Sequence, residues 1–273
     1  MRHDVRRAAY RSFILPDAHF LGAGDEQEMS DQSATHQVEA NANVHRRLTV
    51  ILIVLAVCLA NAAFIGLGSV FEYPDILQQP TDEILTKFLA DQATIVVLFS
   101  MLALASALLA PIAVLLGRLA GNDLGRWSIR VGVAAAVVQV IGLLRWPLVV
   151  PFLADRDATG AFEAVHTVLG KVVGETFGYL LTATWTVLII YALGERLAGR
   201  WFKVLGLAAA AMIAVGVLVP LGVPGTDFAN FLGYVVWSVW LLAFATLIWR
   251  RRSGVTDALV TPVQPALAGA ANA

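Results

Sequence analysis

The sequence predicts an all-α fold: an integral membrane bundle of six transmembrane helices with both termini in the cytoplasm. Of its 273 residues, 58% are hydrophobic and only 14% are charged, and the mean hydropathy is +0.73. A soluble domain has about 45–50% apolar and about 25% charged residues, and a chain of this length exposes too much surface to hide the surplus in one core. The hydrophobic residues also fall into six runs of about 20 residues, the length that crosses a bilayer.

The six runs are predicted to be helices. They do not alternate as the strands of a membrane barrel do, and the first run is too long for a cleaved signal peptide. The predicted spans are Leu48–Phe71, Ala93–Leu116, Ile129–Phe152, Lys171–Leu193, Val204–Pro220 and Phe228–Trp249.

Lys and Arg set the predicted orientation, because they concentrate on the cytoplasmic side of membrane proteins. With the N-terminus inside, three bases lie outside (Lys87, Arg156 and Lys171) and eleven lie inside: Arg46, Arg47, Arg118, Arg126, Arg130, Arg196, Arg200, Lys203, Arg250, Arg251 and Arg252. We therefore expect a multi-pass protein of the cell (plasma) membrane. The short loops favour a bacterial host.

Both ends are predicted to be disordered cytoplasmic tails, residues 1–45 and 253–273, around a transmembrane domain at 46–252. The first tail is polar and aperiodic, and the second is rich in Ala and Pro. Met29 is either an ordinary internal residue or the true initiator, in which case the first 28 residues would not belong to the protein.

Composition excludes several classes. A net charge of -1 leaves no basic face for a nucleic acid, and the single cysteine, Cys58, excludes a disulfide scaffold. No Walker, GxSxG, HExxH or CxxC motif occurs. Glu163 and His166 have metal-ligand spacing, but a solvated loop pair explains them better, and the other histidines lie in the N-terminal tail: His3, His19, His36 and His45. We predict no metal and no cofactor.

Two ionisable residues lie inside predicted spans, where a charge is costly and usually functional. Arg145 is about six residues from the outer end of span 3, and Glu175 is about five residues from the outer end of span 4, so both lie about 8–10 Å deep. Their matched depth favours a buried ion pair that lines a pocket. In the alternative, Arg145 extends outward to lipid headgroups and Glu175 faces water.

Polar residues continue from this pair. Glu175, Tyr179, Thr182 and Thr186 share one helical face, and glycines at 170, 174 and 178 flank it and permit a close helix neighbour. The face is either a polar groove or a set of interhelical hydrogen bonds. In span 3, Gln139 and Trp146 share the side near Arg145. The predicted binding residues are Arg145, Glu175, Tyr179, Thr182, Gln139 and Trp146, with Asn61, Asn230 and Tyr234 as further polar candidates.

Two features of the outer side add to this picture. Pro147 frees the carbonyl of Leu143 from its helical bond, and either Arg145 or water could satisfy it; the competing interpretation is a plain helix exit with Trp146 in the interfacial belt. Residues 80–89 predict a short amphipathic helix that lies on the membrane before span 2. Acids outnumber bases in the outer loops, which is consistent with topology alone or with attraction of cations.

Several strings resemble a family of uncharacterised bacterial multi-pass membrane proteins classed as a domain of unknown function. They are Ala60–Phe64, Tyr73–Leu77, Pro80–Leu85, Gly142–Pro147, Gly174–Thr176 with Gly178–Tyr179, and Gly199–Phe202. The resemblance covers residues 48–252 and implies a class of protein without an activity.

The sequence leads to three hypotheses about function. The first is a membrane protein that binds or transports a small solute at an outward-facing polar site built on Arg145 and Glu175. The second is a non-catalytic structural or regulatory membrane component. The third, a membrane-embedded lipid-modifying enzyme, is disfavoured because such enzymes usually carry clustered Asp, His or metal motifs. Membrane lipids and a small-molecule ligand are the expected partners, and oligomerisation is compatible with the sequence.

Overall fold

The computed structural model describes residues 22–156, 158–193 and 197–250, with the backbone alone for residues 22–35 and 38–39. Contacts divide the chain into Met1–Val44 and His45–Ala273. In the first unit, the described residues all belong to the beginning of one long helix. The packing described below concerns the second unit.

The described residues form helices and turns and contain no strand. The helices are α1 (Gly22–Phe71), α2 (Thr81–Ala90), α3 (Gln92–Ala120), α4 (Asp123–Leu148), α5 (Val150–Ala154), α6 (Thr159–Val165), α7 (Gly178–Leu193), α8 (Arg200–Val215) and α9 (Thr226–Arg250), with 3₁₀ turns at Asp75–Gln78 and Gly216–Leu221 and a π-helical segment at His166–Phe177.

Among the described residues, six helical stretches are long and apolar enough to cross a membrane, which confirms the predicted all-α architecture. They are Ala40–Phe71, Gln92–Ala120, Asp123–Leu148, Thr159–Leu193, Arg200–Leu221 and Thr226–Arg250. The orientation of the termini stays a prediction, because the structure contains no membrane.

Several boundaries differ from the sequence prediction. The third span ends at Leu148 and not at Phe152, and the short helix α5 follows, since Pro147 and Pro151 interrupt the hydrogen bonding. The fourth begins at Thr159. Residues 22–45, expected to be disordered, are helical; their Glu, Gln and Ala residues favour helix and extend a helix already nucleated in the membrane. The rest of the predicted tails, including residues 1–21 and 253–273, lies outside the described residues.

Short-range signals fix the α3–α4 hairpin. Helix α3 ends at Gly121, which takes the left-handed conformation (φ 65°) that glycine adopts without strain. Asn122 then caps α4, because its side chain accepts a hydrogen bond of 2.8 Å from the Gly125 amide. The Asn122 amide also donates to the Ala192 carbonyl at 2.8 Å, which ties the hairpin to the end of α7.

Two large apolar clusters and a small third one, at Ala183, Ala210 and Ile213, hold the described part of the bundle together. The Trp240 cluster includes the fully buried Trp185, Ile189, Trp240 and Phe244. The Trp146 cluster lies near the end of the bundle where α1 and α4 end and α3 and α9 begin, which we call the Tyr73 end. In this cluster Phe99 stacks on Trp146 with ring centroids 4.7 Å apart, and Phe71, Phe88 and Phe162 surround the pair.

Helix α2 is the amphipathic helix that the sequence predicts. Its apolar residues Ile84, Leu85 and Phe88 are buried in the Trp146 cluster. The expectation that this face lies on the membrane is therefore wrong: the face packs on the protein. Leu89, the other large apolar residue of α2, is 46% exposed.

Candidate functional site

A cavity of about 150 Å³ lies between the two clusters and reaches the Tyr73 end. Apolar side chains from both clusters form its walls, including Leu109 and Ile112 on one side and Phe99 and Trp146 on the other. The polar side chains that line it are Tyr73, Asp75, Gln78, Ser106, Gln139, Arg145, Glu175, Tyr179, Asp227, Asn230, Tyr234 and Ser238.

Arg145 is the most enclosed charge at the cavity. Its side chain is 5% exposed, and its guanidinium lies 5.3 Å from the Trp146 ring centroid. One terminal N–H donates to the Gly142 carbonyl, whereas the Nε atom has no hydrogen-bond partner among the described residues. Arg145 therefore does not extend to lipid headgroups; it is held inside the protein with donor capacity to spare.

A row of glycines makes room for this arginine. A Cβ atom built on Gly170 would lie 2.8 Å from Nη2 of Arg145, and one built on Gly142 would lie 2.5 Å from the Gly174 Cα. The predicted close neighbour of the span-4 glycines is thus α4, whose backbone touches the π-helical segment directly. Any side chain at these glycines would push the two elements apart.

The π-helical segment carries Glu175. Its wider turn is visible at Thr176, whose hydroxyl donates to the carbonyl five residues earlier, Lys171, at 2.8 Å. π-helical hydrogen bonding is rare, and the short π-helical turns in which it mostly occurs are frequently found at functional sites. The segment sets the angle at which Glu175 enters the cavity, and an α-helical projection of the sequence does not capture that angle.

Arg145 and Glu175 line the same cavity but do not form the direct ion pair that the sequence favoured. Among the described residues, the N–O contacts within 4.0 Å are Lys87–Glu72 and Arg126–Asp123. The Glu175 carboxylate accepts no hydrogen bond from the described part of the chain. Two opposite charges thus face one space without touching each other.

Tyr73 lines the same cavity as Arg145 and Glu175, and both charges affect the pKa of its phenol. It precedes the 3₁₀ turn, outside the spans, and its ring packs edge-on against Phe99 at 5.6 Å. Burial raises the pKa of the Tyr73 phenol, and Glu175 raises it further while Arg145 opposes the change. The hydroxyl therefore stays protonated at neutral pH and can donate a hydrogen bond into the cavity.

The other predicted site residues separate into cavity and packing positions. Gln139, Trp146 and Tyr179 line the cavity with the two charges. Trp146 is fully buried, so the alternative that places it in an interfacial belt is wrong. Thr182 is also fully buried, and it accepts a 2.8 Å hydrogen bond from the Gln139 amide. Whether any of these residues binds a ligand stays a prediction.

Sequence reasoning did not select Tyr73, Asp75 or Asp227 as site residues. Tyr73 joins the cavity because the chain turns back over the bundle directly after α1, and the amide of Tyr73 donates to the Leu67 carbonyl at 3.3 Å. The exposed acids at the cavity mouth are Asp75, at the start of the 3₁₀ turn, and Asp227, in the first turn of α9. The turn of the chain after α1 leaves no periodic signal in the sequence.

A second cavity of about 360 Å³ adjoins the first between α1 and α9. Residues that line both cavities include Phe64, Tyr73 and Tyr234. Asn61, one of the further candidates, lies here and donates a 3.2 Å hydrogen bond to Ser238 across the two helices. Asn230 lines the first cavity and donates to the Ile213 carbonyl at 2.8 Å.

Metal-ligating residues do not cluster in the described part of the chain. His166 is buried, at 6% exposed, and stacks on Phe162 with centroids 5.5 Å apart. Glu163 is exposed and accepts a 3.1 Å hydrogen bond from Thr81. The interpretation of Glu163 and His166 as a solvated loop pair is therefore wrong for His166. The two side chains lie in different surroundings.

The six membrane-length helices in the described part of the chain, and the cavity with polar residues that they enclose, define a multi-pass membrane protein. The chain belongs to the DUF4386 family, a domain of unknown function. The match covers residues 48–245, which includes the six spans except the beginning of the first and the last few residues of the sixth. Comparisons with curated proteins and with solved structures give no match.

Proposed function

We propose that the protein binds a small zwitterionic solute in the cavity at the Tyr73 end, with Arg145 contacting its anionic group and Glu175 its ammonium group. The observation that carries this proposal is the presence of two opposite, enclosed charges that line one cavity without pairing with each other.

Energetics favour an external partner for Arg145. A buried charge that makes no direct ion pair has lost its hydration at a cost of several kcal/mol, in order of magnitude, and buried polar groups that lack partners cost about 1–3 kcal/mol each. One carbonyl bond from Gly142 satisfies only part of a guanidinium, which has five N–H donors. A carboxylate or phosphate in the cavity would accept two of the remaining donors side by side.

The acidic residues favour an ammonium group on the same ligand. Glu175 offers an acceptor inside the cavity, and Asp75 and Asp227 place negative charge at its mouth. Carboxylates around a narrow opening raise the local concentration of cations. A ligand with only a negative charge would face three acidic side chains and one basic side chain. A zwitterion has an ammonium group for the acidic side chains and an anionic group for Arg145.

Binding is better supported than movement across the membrane. Beyond the cavity, toward the end that carries Arg200, the Trp240 cluster fills the bundle with fully buried Trp185, Ile189, Trp240 and Phe244. A charged solute would have to cross this apolar layer, which costs far more than it gains. Transport would therefore require a second packing of these side chains.

A thermal-shift measurement on the purified protein in detergent tests the proposal. O-phosphoethanolamine should raise the midpoint of unfolding in a concentration-dependent way, whereas ethanolamine and inorganic phosphate, which carry one charge sign each, should raise it much less. Glu175→Gln should lose the effect, and Glu83→Gln, the same change at an exposed position of α2, should keep it. Equal shifts from phosphate alone, or a full shift in Glu175→Gln, would contradict the proposal.

A structural role for part of the polar face has its own support. The bonds from Gln139 to Thr182 at 2.8 Å and from Trp237 to Thr186 at 2.8 Å join neighbouring helices. These residues hold the helices that frame the cavity. If the whole polar set were structural, replacing Arg145 and Glu175 together by apolar residues of similar size would leave both stability and cell growth unchanged.

We further propose a plasma-membrane location in a bacterium, with the Tyr73 end outside. Support comes from the eleven Lys and Arg residues that the sequence assigns to the inner side against three outside. In this orientation, the cavity mouth opens to the exterior.

A further inference from the structure

We propose that the ligand is an amphiphile, whose zwitterionic head occupies the first cavity and whose alkyl chain lies in the second cavity between α1 and α9. This inference rests on the proposed function and adds to it the class of ligand. The ligand would enter sideways from the bilayer and not only through the polar mouth.

The two cavities lie side by side. They share Ala60, Phe64, Tyr73, Phe231, Tyr234, Trp237 and Ser238 as lining residues. The charges belong to the first cavity, and the ionisable groups that the described residues place around the second are the phenols of Tyr73 and Tyr234. A molecule that fills both spaces therefore needs a charged end and an apolar end.

The second cavity opens on the outer surface of the bundle. Its wall includes Ile65 on α1, which is 74% exposed, and Val235 on α9, which is 38% exposed. Gly68 leaves space beside them, since a Cβ atom built there would meet only the Tyr73 carbonyl, at 3.7 Å. In a bilayer, such a gap between two helices is open to acyl chains, which are the solvent there.

The unpartnered guanidinium supplies an independent reason for a head group. Arg145 lines the first cavity and is only 5% exposed. Its Nε atom has no hydrogen-bond partner among the described residues. An apolar chain alone would leave this group unsatisfied, and a water-soluble solute alone would leave the lateral cavity without an occupant.

The test uses the full chain in lipid nanodiscs and a lysophosphatidylethanolamine with a photoreactive diazirine in its acyl chain. After illumination, peptide mass spectrometry should find adducts concentrated in residues 60–68 and 231–238, and excess O-phosphoethanolamine should reduce them. Val235→Phe should lower these adducts at least fivefold by filling the gap. Val239→Phe, the same change one turn further along α9 at a position 54% exposed outside both cavities, should leave them unchanged.

A second variant, Gly68→Phe, narrows the second cavity from its opposite wall. It serves as the test if Val235→Phe fails to fold. Adducts spread evenly over all lipid-facing surfaces, or equal effects of Val235→Phe and Val239→Phe, would overturn the inference. If O-phosphoethanolamine still stabilises the protein in that case, only the lateral chain site fails. If no zwitterionic compound stabilises it, the proposed function fails as well.

Discussion

The contact between Gly142 and Gly174 gives the sharpest prediction for stability. Gly142→Ala places a methyl carbon 2.5 Å from the Gly174 Cα and 3.0 Å from the Leu169 carbonyl oxygen. Carbon atoms in contact normally lie about 3.5–4.0 Å apart, so α4 and the π-helical segment must separate by about 1 Å. No rotamer change relieves the clash, because the atoms in the way belong to the backbone.

The magnitude follows from two opposing effects. Overpacking of a filled interior costs about 1–3 kcal/mol, and replacing a helical glycine by alanine returns about 0.5–1 kcal/mol. We expect Gly142→Ala to lower the free energy of unfolding by about 1–2 kcal/mol. Because the Arg145 guanidinium packs on Gly170 of the same segment, ligand binding should weaken too.

Equilibrium unfolding in mixed micelles of a mild detergent and SDS measures this change. The matched control is Gly160→Ala, a helical glycine of α6 whose added Cβ meets nothing within 4 Å; it should be neutral or slightly stabilising. If Gly142→Ala proves as stable as Gly160→Ala, α4 and the π-helical segment do not make this close contact. The enclosure of Arg145, which depends on that contact, would then be wrong as well.

Two further predictions concern packing and topology. Thr182→Val removes the acceptor of the Gln139 amide and should lower the free energy of unfolding by about 0.6–2 kcal/mol in the same assay. The control is Thr184→Val, at an exposed position whose hydroxyl bonds only within its own helix, and it should cost less than half as much. Equal losses in the two variants would argue against the interhelical hydrogen bond. Single cysteines at Asp82 and Asn122, in a protein without its native cysteine, test orientation: an impermeant maleimide added to intact cells should label the first and spare the second, and the reverse pattern would invert the topology.

The sequence predicted the architecture well because one physical quantity dominates it. A helix must cover about 30 Å of hydrocarbon, so the six spans follow from length and hydropathy. The spacing of glycines at 170, 174 and 178 also predicted a close helix neighbour, which the structure identifies as α4.

The site was harder to predict, because it depends on backbone register. A change from α- to π-helical hydrogen bonding between His166 and Phe177 rotates Glu175 relative to an ideal helix, and no residue type signals that change. The direct pair with Arg145 was expected from equal depth alone, which says nothing about rotation. Tyr73 reaches the cavity through a turn after α1, and the burial of Trp146 depends on aromatic partners from distant parts of the chain.

The affinity of O-phosphoethanolamine for the wild type and two variants tests the central claim most directly. By isothermal titration, Arg145→Gln and Glu175→Gln should each raise Kd at least tenfold, which corresponds to about 1.4 kcal/mol. Each variant should lose only the contact with one end of the ligand. Glu175→Gln should bind inorganic phosphate no more weakly than the wild type does. Arg145→Gln should bind ethanolamine no more weakly than the wild type does. A Kd within twofold of the wild-type value in either variant, with unfolding midpoints preserved, would contradict a site in which these two residues bind the two ends of one ligand.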